Sequence, residues 1–389
     1  MRDLLSERLT DAETRLRALQ LGDAFDPEAP AALIASGLHL APVPVEAGGL
    51  GIGMVEAVDL LSTLAAIDGS VGLGFAMHVH VVGSMPQSSG WAIGRREAIY
   101  GAIKDQGALI NAASTEDQGG SPARGAIPGT TAVLESGGGF TITGEKSWTT
   151  WLPALRLAIV SARIAEPSAE PADVPDVGSF VVDLESVGVT RLPGFEALGM
   201  RGSASGRLAL DSVRVPSEAL VVRRRADQPD PRGPAPGAWF QMVVAAVYLG
   251  VGEQARREVV RWAIDRRPGD GSTAVADIPS VQVRLGRLDA AVRTARIVVG
   301  DVARRWDAAP PGERGALVGD VALAKATATS AAVESTDEAL RIAGGPGFLA
   351  GPLERAFRDA RAGLINPPLE DVLLAGFAKT LVEAERARA

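Results

Sequence analysis

A chain of 389 residues is too long for one hydrophobic core and points to two or three domains. Its 46% hydrophobic and 22% charged make-up is that of a folded globular protein. A net charge of -8 disfavours nucleic acid as the main partner, because a phosphate backbone needs a basic face. There is no cysteine, which removes disulfides, thiolate catalysis and zinc–cysteine sites. Met1-Arg-Asp-Leu-Leu-Ser-Glu7 does not read as a secretory leader and no apolar run approaches membrane-spanning length, so the expected location is the cytoplasm.

The first hundred or so residues are helical in pattern: Leu5, Leu9, Ala12, Leu16 and Leu19 recur at helical spacing with charged residues between them. Pro42 to Gly53 interrupts the pattern as a loop with close backbone packing, and helices resume over 54–66 and 97–110. From residue 111 the period changes to short β-rich runs at Phe140–Thr143, Leu157–Val160, Phe180–Leu184 and Leu208–Val213, as expected of a small antiparallel domain. The proline-rich stretch from Gln228 to Gly237 marks a second boundary. Beyond it, long helices are predicted over 239–266, 279–308, 313–343 and 369–388, the first with Val244, Val247, Val251, Ala255, Val259 and Trp262 on one face. The reading is an α+β chain with a helical domain over 1–110, an antiparallel β domain over 111–227 and a four-helix bundle over 228–389.

Two polar segments stand apart from ordinary core. Thr115-Glu-Asp-Gln-Gly-Gly-Ser121 and Gly144-Glu-Lys-Ser-Trp-Thr-Thr150 place hydroxyls beside open backbone, and the second adds a large aromatic plate. Hydroxyls both donate and accept, so they suit the edge of a flat ring carrying carbonyls and nitrogens, while Trp148 offers a rigid apolar wall. The bland alternatives are turn-capping hydroxyls and a core tryptophan. His78-Val-His80 could suggest a metal, but without cysteine or a nearby acidic pair no metal is expected. Either histidine reads equally as a satisfied core residue or as one that orients a substrate, and His39 reads as structural.

Four further motifs complete a pattern. Pro44-Val-Glu-Ala-Gly-Gly-Leu-Gly-Ile-Gly53, Ala197-Leu-Gly-Met-Arg-Gly-Ser203, Ile342-Ala-Gly-Gly-Pro-Gly-Phe348 and Arg358-Asp-Ala-Arg361 follow one another in the order seen in the acyl-CoA dehydrogenase family of flavoproteins, which the chain resembles over nearly its whole length. The resemblance implies a helical, then β, then helical fold and a bound flavin, FAD with FMN as an option. It implies that Thr115 and Ser121 lie near the flavin ring and phosphates, that Trp148 lies beside the ring, and that Thr150 faces its N5 atom. Gly344 and Gly345 would approach a neighbouring subunit's cofactor, and Arg266 would reach a partner's dinucleotide. Arg341 stands where the family usually has glutamine. A homodimer or homotetramer built through the C-terminal helices is expected, as are a small-molecule substrate such as an acyl-CoA and an electron-transfer or flavin-reductase partner.

Two departures limit what carries over. The family's dehydrogenases need a positioned carboxylate to take the substrate's α-proton. Pro367 stands where that glutamate is expected, and Phe240 and Gln241 occupy the alternative position. Glu370 and Asp371 are the nearest acids, readable as a displaced base or as ordinary helix-start residues. Arg266-Arg-Pro-Gly-Asp-Gly271 also lacks the phenylalanine that packs on the dinucleotide, which is compatible with FMN. The leading expectation is an α,β-dehydrogenation with Glu370 or Asp371 as base. A monooxygenase on the same scaffold, fed reduced flavin, is the alternative, and a flavin-binding protein without turnover is the third reading.

Overall fold

The computed structural model describes residues 2–91, 93–117, 127–166, 174–269 and 271–388. In chain order the helices before the sheet are α1 (Arg2–Ala18), α2 (Glu28–Ala35), α3 (Met54–Ala65), α4 (Gly69–Ser84) and α5 (Ile93–Gln106). The strands are β1 (Ile110–Ala113), β2 (Thr131–Leu134), β3 (Phe140–Thr149), β4 (Leu157–Ala165), β5 (Asp176–Asp183), β6 (Val189–Gly194), β7 (Gly206–Val215) and β8 (Leu220–Arg225). The C-terminal helices are α6 (Ala235–Asp265), α7 (Pro279–Ala308), α8 (Val318–Ala343), α9 (Pro352–Ala362) and α10 (Glu370–Arg386). Their contacts divide the chain into two compact units. One comprises Met1–Ile52, Met77–Glu196 and Arg201–Pro236; the other comprises Gly53–Ala76, Ala197–Met200 and Gly237–Ala389.

In the first unit, α1 begins with Asp3 and ends with Arg15 and Arg17, which suits the helix dipole. Ala12 and Leu16 are buried, and Leu5, Leu9 and Leu19 are half-buried on the same face, as their spacing requires. The loop after α2 folds back on itself, with Gly51 N–H bonding Val43 O at 2.7 Å and Ile52 N–H bonding Ala41 O at 3.1 Å. The helix expected over 97–110 stops at Gln106, and the chain enters β1 instead. The sheet order is β6-β7-β3-β2-β4-β5-β8, with β1 also on β4. Most pairings are antiparallel as expected, but β1 and β2 both run parallel to β4. They share it end to end, β1 beside Leu157–Val160 and β2 beside Arg163–Ala165, so the sheet is mixed. One apolar cluster, including Val82, Met85, Tyr100, Ile103, Ile110, Ile159 and Val222, joins the end of α4 and α5 to the sheet.

In the second unit, α6 is buried on every side from Met242 to Glu253, the signature of a central rather than a surface helix. The Asp307 carboxylate of α7 caps α3, accepting Met54 N–H at 2.8 Å and Val55 N–H at 2.9 Å. The helix predicted from 313 starts at Val318, after a 3-10 stretch at Pro311–Leu317, and α9 was not anticipated. The expectation about apolar runs needs correcting. Ala235–Asp265 and Arg314–Ala343 are long and apolar enough to cross a bilayer by length and composition. The apolar window of the first is 78% buried, so protein atoms already cover it. Glu253, Arg256, Arg257 and Glu258 interrupt its apolar residues toward the end of the helix.

Candidate flavin site

β3 carries the first group of site residues. Its register with β7 slips between Lys146 and Thr149, and Trp148 sits at the slip with φ 57°. The slip re-aims a side chain, as bulges do, and leaves Trp148 49% exposed. Phe195 backs it at 4.5 Å between centroids, and the Arg207 guanidinium lies 5.2 Å over Phe195. Arg207 is tied in turn to Asp117 at 2.9 Å. Of the five non-glycine residues with positive φ among those described, Trp148, Trp151 and Ala204 surround Thr150. Such conformations persist where the surroundings over-determine them, and they gather at functional sites.

Thr150 is buried. Its hydroxyl lies 3.0 Å from Ser205 Oγ, and its carbonyl accepts Asn111 Nδ2 at 3.2 Å. Ser203 Oγ is 3.0 Å from the same Ser205 Oγ. Thr115 is half-buried, and its carbonyl receives the Ser147 N–H at 2.8 Å, which joins the first polar segment to the second. The Glu116 carboxylate organises this junction. It accepts Lys146 Nζ at 2.5 Å, Thr130 Oγ1 at 2.7 Å and Gly129 N–H at 2.6 Å. Burial alone would push Glu116 up, but the hydrogen bonds from Lys146 and Thr130 outweigh it and hold the carboxyl below its usual value. Ser121, with Gly119 and Gly120, lies outside the described residues.

The second unit carries the other residues, and here the motifs have structural work. Asp359 accepts the Met200 N–H, and Arg358 bonds the Leu198 carbonyl at 3.2 Å. Gly199 lies so close to α9 that a Cβ would come within 2.3 Å of Arg358 O, so only glycine fits there. Arg355 bridges to Asp68 at 2.6 Å. Gly344 ends α8 at φ 62° and ψ −141°, backbone that only glycine adopts readily, and a side chain on Gly344 or Gly345 would meet open space. Arg341 is exposed and paired with Asp337 at 2.7 Å. Arg266 is exposed just past α6, its carbonyl accepting Val275 N–H at 2.9 Å.

Residues 363–368 form the turn in which the resemblance placed a catalytic glutamate. Pro367 stands there instead, and the buried Lys325 pins the turn by donating to Gly363 O at 3.1 Å, Asn366 O at 2.7 Å and Pro368 O at 3.1 Å. Asn366 Nδ2 also donates to Tyr248 OH at 2.9 Å. Glu370 and Asp371 are exposed in the first turn of α10, where they complement the helix dipole.

Of the histidines, His78 resolves as core. Its Nε2 is 2.8 Å from His39 O, and its Nδ1 receives the Ile110 N–H at 3.4 Å, the pattern of a neutral ring protonated on Nε2. Burial pulls its pKa down from 6.5 to about 4, so it stays uncharged at neutral pH. Sequence reasoning missed Ser203, Ser205, Asn111, Phe195 and Lys325. The only available hint was that Ser203 closes a motif already singled out, two residues before Ser205.

The half-exposed Trp148 plate, rigidly backed and beside the Thr150 hydroxyl, fits a planar heteroaromatic ring carrying polar edge atoms. Residues 1–91, 111–213 and 238–366 match the N-terminal, middle and C-terminal domains of acyl-CoA dehydrogenase. The chain belongs to the acyl-CoA dehydrogenase family of flavoproteins. YdbM of Bacillus subtilis, which carries an acyl-CoA dehydrogenase name, is 31% identical over 85% of this chain and 83% of its own length. The L-evernosamine nitrososynthase of a Micromonospora species is 28% identical over 85% and 77%. Butyryl-CoA dehydrogenase of Megasphaera elsdenii shares the fold, with TM-score 0.83, 21% identity and coverage of 98% and 97%. So does FMN-bound TdsC of Paenibacillus sp. A11-2, a dibenzothiophene monooxygenase, with TM-score 0.81, 21% identity and 94% of each chain. The family thus accounts for the α+β architecture and supports a bound flavin.

Proposed function

We propose that this family member is a flavin-dependent monooxygenase that receives reduced flavin from a separate reductase and oxygenates a small organic molecule. The observation that carries the reading is the 363–368 turn. At the position of the family's base it has a proline, and all three Lys325 contacts hold backbone carbonyls, leaving no carboxylate there to take an α-proton. A monooxygenase needs none. Reduced flavin supplies the electrons that activate oxygen. The chain's own part is to hold the ring against Trp148, to offer the Thr150 hydroxyl to its edge, and to keep bulk water from Thr150, which is 8% exposed as a residue. The monooxygenase name of one fold neighbour and the nitrososynthase name of a 28% identical relative support the same reading.

FMN is the flavin proposed. The Arg266-Arg-Pro-Gly269 stretch is exposed and has no aromatic residue to pack on an adenosine. A homodimer or homotetramer is also proposed, because Phe348 and Leu349, beside the Gly344 turn, are 80% and 70% exposed. Light scattering at micromolar concentration tests the assembly, and chromatography of the flavin released on denaturation tests the cofactor.

A dehydrogenase with a displaced base is the second reading, favoured by the name of the 31% identical relative. The two readings separate in one experiment. The flavin-loaded protein is mixed anaerobically with acyl-CoAs of several lengths, and its oxidised spectrum is followed. No bleaching is expected, whereas chemically reduced flavin on the protein should turn over in an oxygen-dependent way. If bleaching does occur, Glu370→Gln or Asp371→Asn should slow it by about 10²–10⁴-fold, the usual contribution of a positioned base. On the monooxygenase reading both substitutions change oxygen-dependent turnover by less than about threefold, as expected of exposed residues at a helix start.

A further inference from the structure

The hydroxyl of Thr150 does not stand alone. Its Oγ1 is 3.0 Å from Ser205 Oγ, which is 3.0 Å from Ser203 Oγ, and at each link either oxygen can be the donor. Thr150 and Ser203 are buried and Ser205 is half-buried. In a flat strand, residues two apart are separated by about 7 Å. Here Ala204 has φ 41°, and that kink brings the two serine hydroxyls to hydrogen-bond distance. Three backbone bonds fix the frame: Trp151 N–H to Ser203 O at 2.7 Å, Phe195 N–H to Ser205 O at 2.8 Å, and Asn111 Nδ2 to Thr150 O at 3.2 Å. The frame is rigid while the three protons are free to rotate.

We infer that Thr150, Ser205 and Ser203 form a reversible hydroxyl chain that lets Thr150 donate to the flavin N5 in one redox state and accept from it in the other. The inference rests on the flavin reading above. N5 of an oxidised flavin is an acceptor, and N5 of a reduced flavin carries a proton and is a donor. A lone buried hydroxyl serves the first state, but in the second its own proton needs somewhere to go. Each hydroxyl has one proton to give and two lone pairs to receive with. With the oxidised flavin, Ser205 donates to Thr150 and Thr150 donates to N5. With the reduced flavin, Thr150 accepts from N5–H and donates to Ser205, which donates to Ser203. Only O–H rotations distinguish the two arrangements, so no covalent bond changes in the chain.

Ser205 is therefore a positioning residue whose effect depends on redox state. In Ser205→Ala, Thr150 can still donate to an oxidised flavin, but with a reduced one its proton is stranded in a buried site. The affinity for reduced flavin should fall about tenfold relative to that for oxidised flavin, the scale of one unsatisfied buried hydroxyl. That ratio corresponds to a midpoint potential lower by about 30 mV for a two-electron couple. Both affinities are measured by titration with FMN, aerobically for the oxidised form and anaerobically for the reduced form. Ser205→Thr, which keeps the hydroxyl, should restore the ratio, and in a Thr150→Val background Ser205→Ala should no longer change it. Ser203→Ala should shift the ratio in the same direction by less, and it carries the test if Ser205→Ala does not fold. Equal weakening of both forms, or an unchanged ratio, would overturn the chain and leave a structural role. A wild-type protein that binds neither FMN nor FAD would overturn the flavin reading itself, a result visible in the first titration.

Discussion

Lys146→Met is expected to destabilise the first unit by about 3 kcal/mol and to weaken flavin binding with it. The Lys146 side chain is fully buried and that of Glu116 is 10% exposed, with 2.5 Å between Nζ and Oε1. Removing one partner of a buried ion pair typically costs about 3–5 kcal/mol, because the remaining charge is left without compensation. The lower end applies because Glu116 keeps its donors from Gly129 and Thr130. Those donors lie on the far side of the segment that begins at Thr115, so one carboxylate ties β3 to both of its ends. Chemical denaturation followed by tryptophan fluorescence gives the stability, and FMN titration gives the affinity. Adding Glu116→Gln to Lys146→Met should recover part of the loss, since the stranded charge is then gone. A double variant no more stable than Lys146→Met alone would show that the lysine acts through packing rather than charge.

The second large effect is acid sensitivity centred on His78. The folded state holds its pKa near 4 by burial, against an ordinary 6.5, so in this range the unfolded chain binds the proton more tightly. The stability it contributes is fully present above about pH 6.5 and is lost as pH falls through about 4, roughly 3 kcal/mol in all. His78→Gln retains an amide N–H for the His39 carbonyl but cannot titrate. The stability difference between wild type and this variant should narrow as pH falls from 7 to 4. A difference constant across that range would place the titration elsewhere.

Motifs that are contiguous in the chain were legible before the fold was known. Gly144 to Thr150 stood out as a polar strand end because its hydroxyls and its tryptophan are sequence neighbours, and Trp148 stands half-exposed there. Pro367 was legible for the same reason: a residue without a titratable group cannot be a base in any fold. Helix positions were readable where an apolar stripe marks the period, as in α1 and α6. That α6 is buried on every side from Met242 to Glu253 was not readable from the stripe, which shows only which face is apolar.

What the sequence by itself determined is the inventory: the family, the order of helical and β segments, the hydroxyls beside Trp148, and a proline at position 367. What only the tertiary structure decided is who meets whom across long separations. Ser205 reaches Thr150 across 55 residues, and it does so only because Ala204 adopts a conformation that no local preference for alanine would suggest. Lys325 meets the 363–368 turn across about 40 residues, and in the sequence it is one polar residue in an alanine-rich helix. The parallel pairing of β1 and β2 with β4 is likewise invisible locally, since a strand's pattern records which face is buried but not the direction of its neighbour. Local propensity and periodicity are set by residues within a few positions of one another. Hydrogen-bond direction, buried charge pairing and strand polarity are set by whatever the folded chain brings alongside.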